Sequence, residues 1–234
     1  MLDIFVEIPT LLEDLDTMLD CPDADRQRTL RHQLIQKCRA HESALTCWRA
    51  VVGIADPTYR IDGADVSSPP PTVQILAAAH ILCVYWSTCI ILYSTLRIAS
   101  PQDFSELLPL ADPRHYCRRI AEGVAILLHP VSGVYGVHLA NFPTAVALMY
   151  LNAIDGVHIS AEKRMFLDVF RRPGHGTTVN RFVRSTTHHQ QQQQQSVVGR
   201  GSSSPSPAAV VDDEHYPSVV EAQQAKFWFR VERW

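Results

Sequence analysis

The sequence predicts an all-α protein: a multi-helix domain, then a disordered Gln/Ser/Pro-rich insertion, then a C-terminal helix. Three observations predict it. Apolar side chains recur every three to four residues through successive stretches, which is the period of one helical face. Asp, Ser, Thr or Pro stands where these stretches begin, and Gly or Pro where they stop. No alternating run of useful length and no hairpin signal marks a strand, and no internal repeat is present.

The first element is a short helix over Ile8 to Asp20, with Pro9 placed in its first turn. Leu11, Leu12, Leu15 and Leu19 fall on one side and leave Asp14, Asp16 and Asp20 on the other. A longer helix runs from Asp23 or Asp25 to Val52, where Leu30, Leu34, Cys38, His41, Leu45, Trp48 and Val52 make a continuous stripe. Gly53 suits its stop, and the stretch through Pro71 is rich in Pro, Gly, Asp and Ser, so it reads as a loop.

Val73 to Leu96 is the most informative stretch, because it is apolar all round. It has the roughly 20-residue length that crosses a bilayer, so a single-span membrane protein using 73–96 is one alternative. Gln74, His80, Ser87, Thr88 and three alanines dilute it, and no Lys/Arg cluster flanks it. A helix apolar on every side is also what the centre of a helical domain requires. The segment is therefore read as a buried core helix with no membrane contact, and His80 as a core or boundary histidine.

Asp112-Pro113 caps the next helix, whose apolar side is Tyr116, Ile120, Val124 and Leu127 or Leu128. Pro130 and the loop from Val131 to Gly136 end it. Another helix starts near Pro143 and stops at Gly156. Ser160 caps a further one with Met165, Phe166, Val169 and Phe170 on its apolar side, ended by Pro173 and Gly174.

After Ser185 the composition changes. His188-His189, a polyglutamine tract from Gln190 to Gln195 and a Ser/Pro stretch bury almost nothing apolar, which predicts a disordered linker over 186–215. Residues 216–234 carry Val219, Val220 and the run Phe227, Trp228 and Phe229, a cluster that predicts a helix docking back onto the domain of residues 1–185.

Composition narrows the function. With 46% hydrophobic residues a real core is within reach, while a net charge of -3 argues against unaided grip on nucleic acid. Basic patches at Arg26 to Arg39 and Lys163 to Arg184 are offset by acids, and Arg114, Arg118 and Arg119 read as a solvated helix side. Six cysteines, Cys21, Cys38, Cys47, Cys83, Cys89 and Cys117, include no CxxC pair, and most fall on apolar helical stretches where a free Cys reads as a small buried hydrophobe. The N-terminal stretch has early acids and no basic region, so no secretory signal is expected and a reducing intracellular compartment is the default.

No catalytic, cofactor-binding or metal-binding residue is assigned. Asp14, Asp16 and Asp20 lack a second facing acidic cluster. His115 and Cys117 are two apart on a helix and point away from each other. No phosphate-binding glycine loop, nucleophile elbow or HExxH is present. No enzyme activity and no cofactor are predicted; a helical enzyme of unrecognised motif is the remaining alternative.

The order of motifs resembles the C-terminal half of the fungal-specific transcription factor domain of zinc-cluster regulators. Four features carry it over roughly Leu30 to Phe182: the long helix ending near Trp48 before a Pro-rich loop; Leu76-Ala77 to Tyr85-Trp86 with Ile91-Leu92-Tyr93; Tyr116 to Ile120 followed by Leu127 to Pro130 and Gly133 to Gly136; and Phe142-Pro143, Ala145 to Tyr150, Arg164 to Phe166 and Phe170. The resemblance implies a nuclear, non-enzymatic regulatory domain that contacts protein partners of the transcription machinery, an effector or itself. Its surfaces would be the Tyr85-Trp86 helix and the Gly133 to Pro143 loop. In that family DNA is held by a separate module with six clustered cysteines, which these residues do not contain, so direct DNA binding is not expected of this chain.

Overall fold

The structure, a computed structural model, describes residues 2–55, 70–100 and 112–171. The proposed linker 186–215 and terminal helix 216–234 lie outside these residues. Six α-helices and one 3-10 turn make up the described part, with no strand among the described residues.

Helices α1 (Leu2–Asp20) and α2 (Ala24–Ala55) form an antiparallel hairpin. At its turn the Asp23 carboxylate accepts from the backbone N–H groups of Asp25 and Arg26 at 2.9 and 3.0 Å, which caps α2. Ile8, Leu11, Leu15 and Met18 are buried against Leu34, Cys38 and Leu45, as the helical stripes predict. Lys37 bridges the hairpin to Asp14 at 2.5 Å.

Helix α3 (Val73–Ala99) is the centre. Thr72 caps it by accepting from the N–H of Ile75 at 3.3 Å, and it packs against α1, α2, α4 and α5. From Ala78 onward nearly every residue is buried, including Ser87 and Thr88. Those two hydroxyls donate back to the Cys83 and Val84 carbonyls at 2.8 and 2.9 Å, which satisfies polar groups that no solvent reaches. Both wide apolar faces of α3 are therefore used inside the protein.

Helix α4 (Pro113–Leu127) runs back along α3, capped by Asp112 on the N–H of Arg114 at 2.9 Å. The helices come closest at Gly123, where an added Cβ would run into Cys83 Sγ and lie 3.3 Å from the Trp86 ring. A 3-10 turn (Pro130–Ser132) leads into α5 (Gly133–Asp155), which runs antiparallel to α4. Gly156, at φ 56, ends α5 in the left-handed region that favours glycine, and Ser160 caps α6 (Ala161–Phe170).

Three sequence expectations are corrected. First, α1 starts at Leu2 rather than Ile8, so Pro9 is interior and lies on the exposed side of the helix. Second, α2 passes through Gly53 to Ala55.

Third, Gly133 to Pro143 is not a loop but the first half of α5. Gly136 is needed within it, because a side chain there would collide with the Leu127 carbonyl at the end of α4. Pro143 is buried inside α5 and removes the N–H that would have bonded the Leu139 carbonyl. His80 of α3 hydrogen-bonds that Leu139 backbone group. The imidazole thus replaces the missing helical donor. Burial lowers the His80 pKa, which keeps the ring neutral, and its Nδ1 has no partner among the described residues.

Two mutational outcomes follow. Replacing His80 with Leu orphans the Leu139 carbonyl and destabilises by about 1–2 kcal/mol. Adding Pro143→Ala restores a backbone donor, so denaturant titration of the double variant should recover most of that loss; simple additivity contradicts the substitution of one donor for the other. Gly123→Ala should lose about 1–3 kcal/mol through overpacking, and Cys83→Ala in the same chain should relieve it, read as a rise in thermal midpoint.

Candidate interaction surface

Tyr85 and Trp86, which the sequence singles out, are both buried and serve the core. Tyr85 packs its ring on Trp48 of α2 with centroids 5.3 Å apart. Trp86 lies beneath Arg119 of α4, whose guanidinium carbon is 5.3 Å from the ring centre. These contacts fasten α2 and α4 to α3 and leave little of either residue for a partner.

A chain of polar side chains crosses the same seam. Tyr116 on α4 donates to Tyr93 on α3, and Tyr93 donates to the Glu42 carboxylate on α2. Tyr85 and Tyr116 both hydrogen-bond Cys89. Glu42 is the one acceptor-only group in the series, so the hydroxyl donors are oriented toward it. The Tyr93 and Tyr116 rings stack at 5.9 Å, nearly parallel at 6°. Burial pushes the Cys89 thiol up to about 12 and raises all three phenols well above their ordinary range. Neither thiolate nor phenolate forms readily here, so the chain holds helices together and supplies no nucleophile.

Arg114 and Arg118 correct the solvated-face expectation. Arg114 pairs with Asp155 and, at 3.3 Å, with Glu162; Arg118 pairs with Glu162 at 2.6 Å. The Asp155 and Glu162 side chains are almost fully enclosed. Lys163 donates to the carbonyls of Gly156 and His158 at 2.7 and 3.0 Å. Together these groups tie the α5–α6 turn to the start of α4.

The remaining sequence candidates do not converge. Asp14 turns to Lys37, while Asp16 and Asp20 line a shallow cleft of about 420 Å³ with Cys21, Pro22 and Arg26 at the α1–α2 turn. Among the described residues no three His, Cys, Asp or Glu side chains are grouped to hold a metal ion. All six cysteines are free; Cys38, Cys83, Cys89 and Cys117 are buried, Cys47 is exposed and Cys21 is half-buried. Cys117 faces the Ala147 carbonyl at 3.8 Å, and His115 meets the Tyr116 ring edge-on instead.

The surface feature that sequence periodicity missed is an apolar end. The contacts of Trp48 with Tyr85, His80 with Leu139 and Gly123 with Ala79 place the end of α2, the start of α3, the end of α4 and the start of α5 together. That end carries Val51, Val73, Ile75, Val131, Val134 and Tyr135 exposed to solvent, with Val73 at 81% and Tyr135 at 80%. A second, smaller group, Ile154, Val157 and Ile159, is exposed at the opposite, α5–α6 turn. Reading Val131 to Gly136 as a loop hid the first group, since a loop has no face to leave uncovered.

No protein family, no curated protein and no solved structure matches this chain.

The ionic cluster sets an acid limit. Burial opposes ionisation of Glu162, but its own backbone N–H and the Arg118 and Arg114 guanidinium groups outweigh that and hold its pKa below 4.5. For Asp155 burial is likewise overcome, by Arg114 and Ser160, so its pKa lies below 3.8. Because both folded values lie below the unfolded ones, the contribution is present above about pH 4.5 and is lost as pH falls through the lower folded values. Glu162→Gln should lower stability at pH 7 by about 1–2 kcal/mol. It should also make the fall in stability between pH 5 and 3 shallower; an unchanged acid limb in circular-dichroism titrations contradicts this.

Proposed function

We propose that this chain is a non-enzymatic, all-α regulatory module of a transcription regulator, related to the helical domain of fungal zinc-cluster factors and working in the nucleus. It acts by contact with protein partners of the transcription machinery or with itself, and DNA binding is not assigned to these residues. The observation that carries this reading is the exposed apolar end. Val134 and Tyr135 lie on the Gly133 to Pro143 segment through which the resemblance implies contact, with Val131 just before it. Apolar groups held in water gain free energy when a partner covers them, at roughly 25 cal/mol per Å² buried. The all-α architecture and the order of the motifs along it support the same reading.

Fusing the full chain to an unrelated DNA-binding module and measuring a reporter gene tests it. The chain should change reporter output at least several-fold, and Val134→Glu with Tyr135→Glu should abolish that change while leaving helicity and thermal midpoint intact. No reporter effect from the unmutated fusion overturns the proposal.

A second reading is favoured by α3 and by the stretch Pro130–Asp155, both long and apolar enough to cross a membrane. In the bundle the most apolar window of α3 is 67% buried and that of Pro130–Asp155 50% buried, packed against one another and against α4, which supports the first reading. Carbonate extraction of cell membranes distinguishes the two, since a spanning chain stays in the pellet and a soluble one is released.

A further inference from the structure

We infer that His129 is a pH-sensitive latch on the turn that leads into the apolar end: its neutral ring caps the turn, and protonation releases the cap. The consequence for partner contact rests on the reading of that end as a contact surface, while the latch itself does not.

The latch is built on one ring nitrogen. His129 stands in extended backbone (φ -62, ψ 140) immediately before the 3-10 turn Pro130–Ser132, and its Nδ1 accepts from the Val131 N–H at 3.2 Å. The first N–H groups of a helical turn have no partner within it, so a side-chain acceptor is what satisfies Val131. Asn, Ser or Thr in this position would offer an oxygen that accepts at any pH near neutrality. An imidazole accepts only through a nitrogen that carries no hydrogen, and in the protonated ring both nitrogens are donors. The Val131 N–H then meets another N–H, and the cap opens.

Imidazole is the side chain that ordinarily changes charge between about pH 5 and 8. The turn follows α4 and lies against α5. The titratable groups on those stretches are Tyr135 and His138 on α5 and, on α4, Glu122, which pairs with Arg119 at 2.6 Å. Among the described residues none of them pairs with the His129 ring, so no carboxylate there holds the imidazolium and offsets the lost cap. His80 of α3 reaches the same end through the Leu139 backbone group, but a protonated ring still donates, so His80 does not mimic the effect.

Release is confined to the cap. The Ser132 N–H still donates to the His129 carbonyl at 2.9 Å, and the Ser132 hydroxyl still faces the Leu127 and His129 carbonyls. What loosens is Val131, which is 56% exposed and opens the stretch that carries Val134 and Tyr135. This window also lies above the acid limit of Glu162 and Asp155, whose folded values are below 4.5 and 3.8, so the two transitions separate.

The test is an NMR titration of the full chain, labelled with nitrogen-15 and carbon-13, across about pH 8 to 5. The Val131 amide and methyl signals should shift with the same midpoint as the His129 ring. Exchange of the Val131 N–H with water, corrected for its intrinsic pH dependence, should speed about three- to tenfold as the cap is lost. His129→Asn keeps a capping oxygen that does not titrate, and should leave the Val131 signals unchanged across the range. Val131 signals that stay flat in the unmutated chain, that follow the midpoint of another histidine, or that still titrate in His129→Asn overturn the inference. The first two outcomes are read from the unmutated chain, so they decide the matter even where the variant fails to fold. The titration needs no partner, so a failed latch and a silent reporter assay are told apart.

Discussion

Everything else in this bundle depends on α3 being enclosed by its neighbours from Ala78 onward. A helix in that position cannot pass its polar groups to water, so each must be answered by a neighbouring element or by its own backbone. Ser87 and Thr88 answer through their own helix. Cys89 and Tyr93 reach outward, and the groups that meet them, Tyr116 on α4 and Glu42 on α2, fix where those helices lie along α3. His80 supplies its hydrogen to the Leu139 group on α5 that Pro143 leaves without a helical donor. The polar exceptions of the hydrophobic helix are thus the points that set register. Thr95 and Thr144 are fully enclosed with hydroxyls that have no partner among the described residues, and they mark where that correspondence is incomplete.

How much of this the sequence shows depends on whether a residue's reason is local. The stripe from Leu30 to Trp48, the caps at Asp112 and Ser160, and the stop at Gly156 all follow from spacing and side-chain chemistry within a few positions, and the structure has each of them. Pro9, Gly53 and Gly133 to Pro143 mislead because local propensity treats Pro and Gly as boundaries. At Gly136 the boundary residue is instead required by the nearby Leu127 carbonyl, and at Pro143 it is tolerated through His80, more than 60 positions away in sequence. Neither relation has a short-range signature.

The same division holds for the candidate surface. Tyr85 and Trp86 stand out in sequence because aromatic pairs stand out, yet their surroundings make them core. Arg114 and Arg118 look like a polar side until Asp155 and Glu162 arrive from 41 to 48 residues downstream. Charge on a helix face carries no mark of whether a partner from another helix will enclose it. Val134 and Tyr135 become a feature only when the segment holding them is a helix with one side against α4 and another left bare.

These placements also determine where association would gain most. In the interior, the conspicuous reactive groups are linked to one another: the phenols and the Cys89 thiol in one chain, the carboxylates with Arg114 and Arg118 in another. Drawing any of them into chemistry means first breaking a contact that positions a helix, and the raised thiol and phenol pKa values oppose forming the reactive anions. The exposed apolar end carries no such penalty. Covering Tyr135, Val134 and Val73 removes apolar surface from water without unpairing a buried polar group, so association there gains free energy and leaves the contacts that position the helices in place.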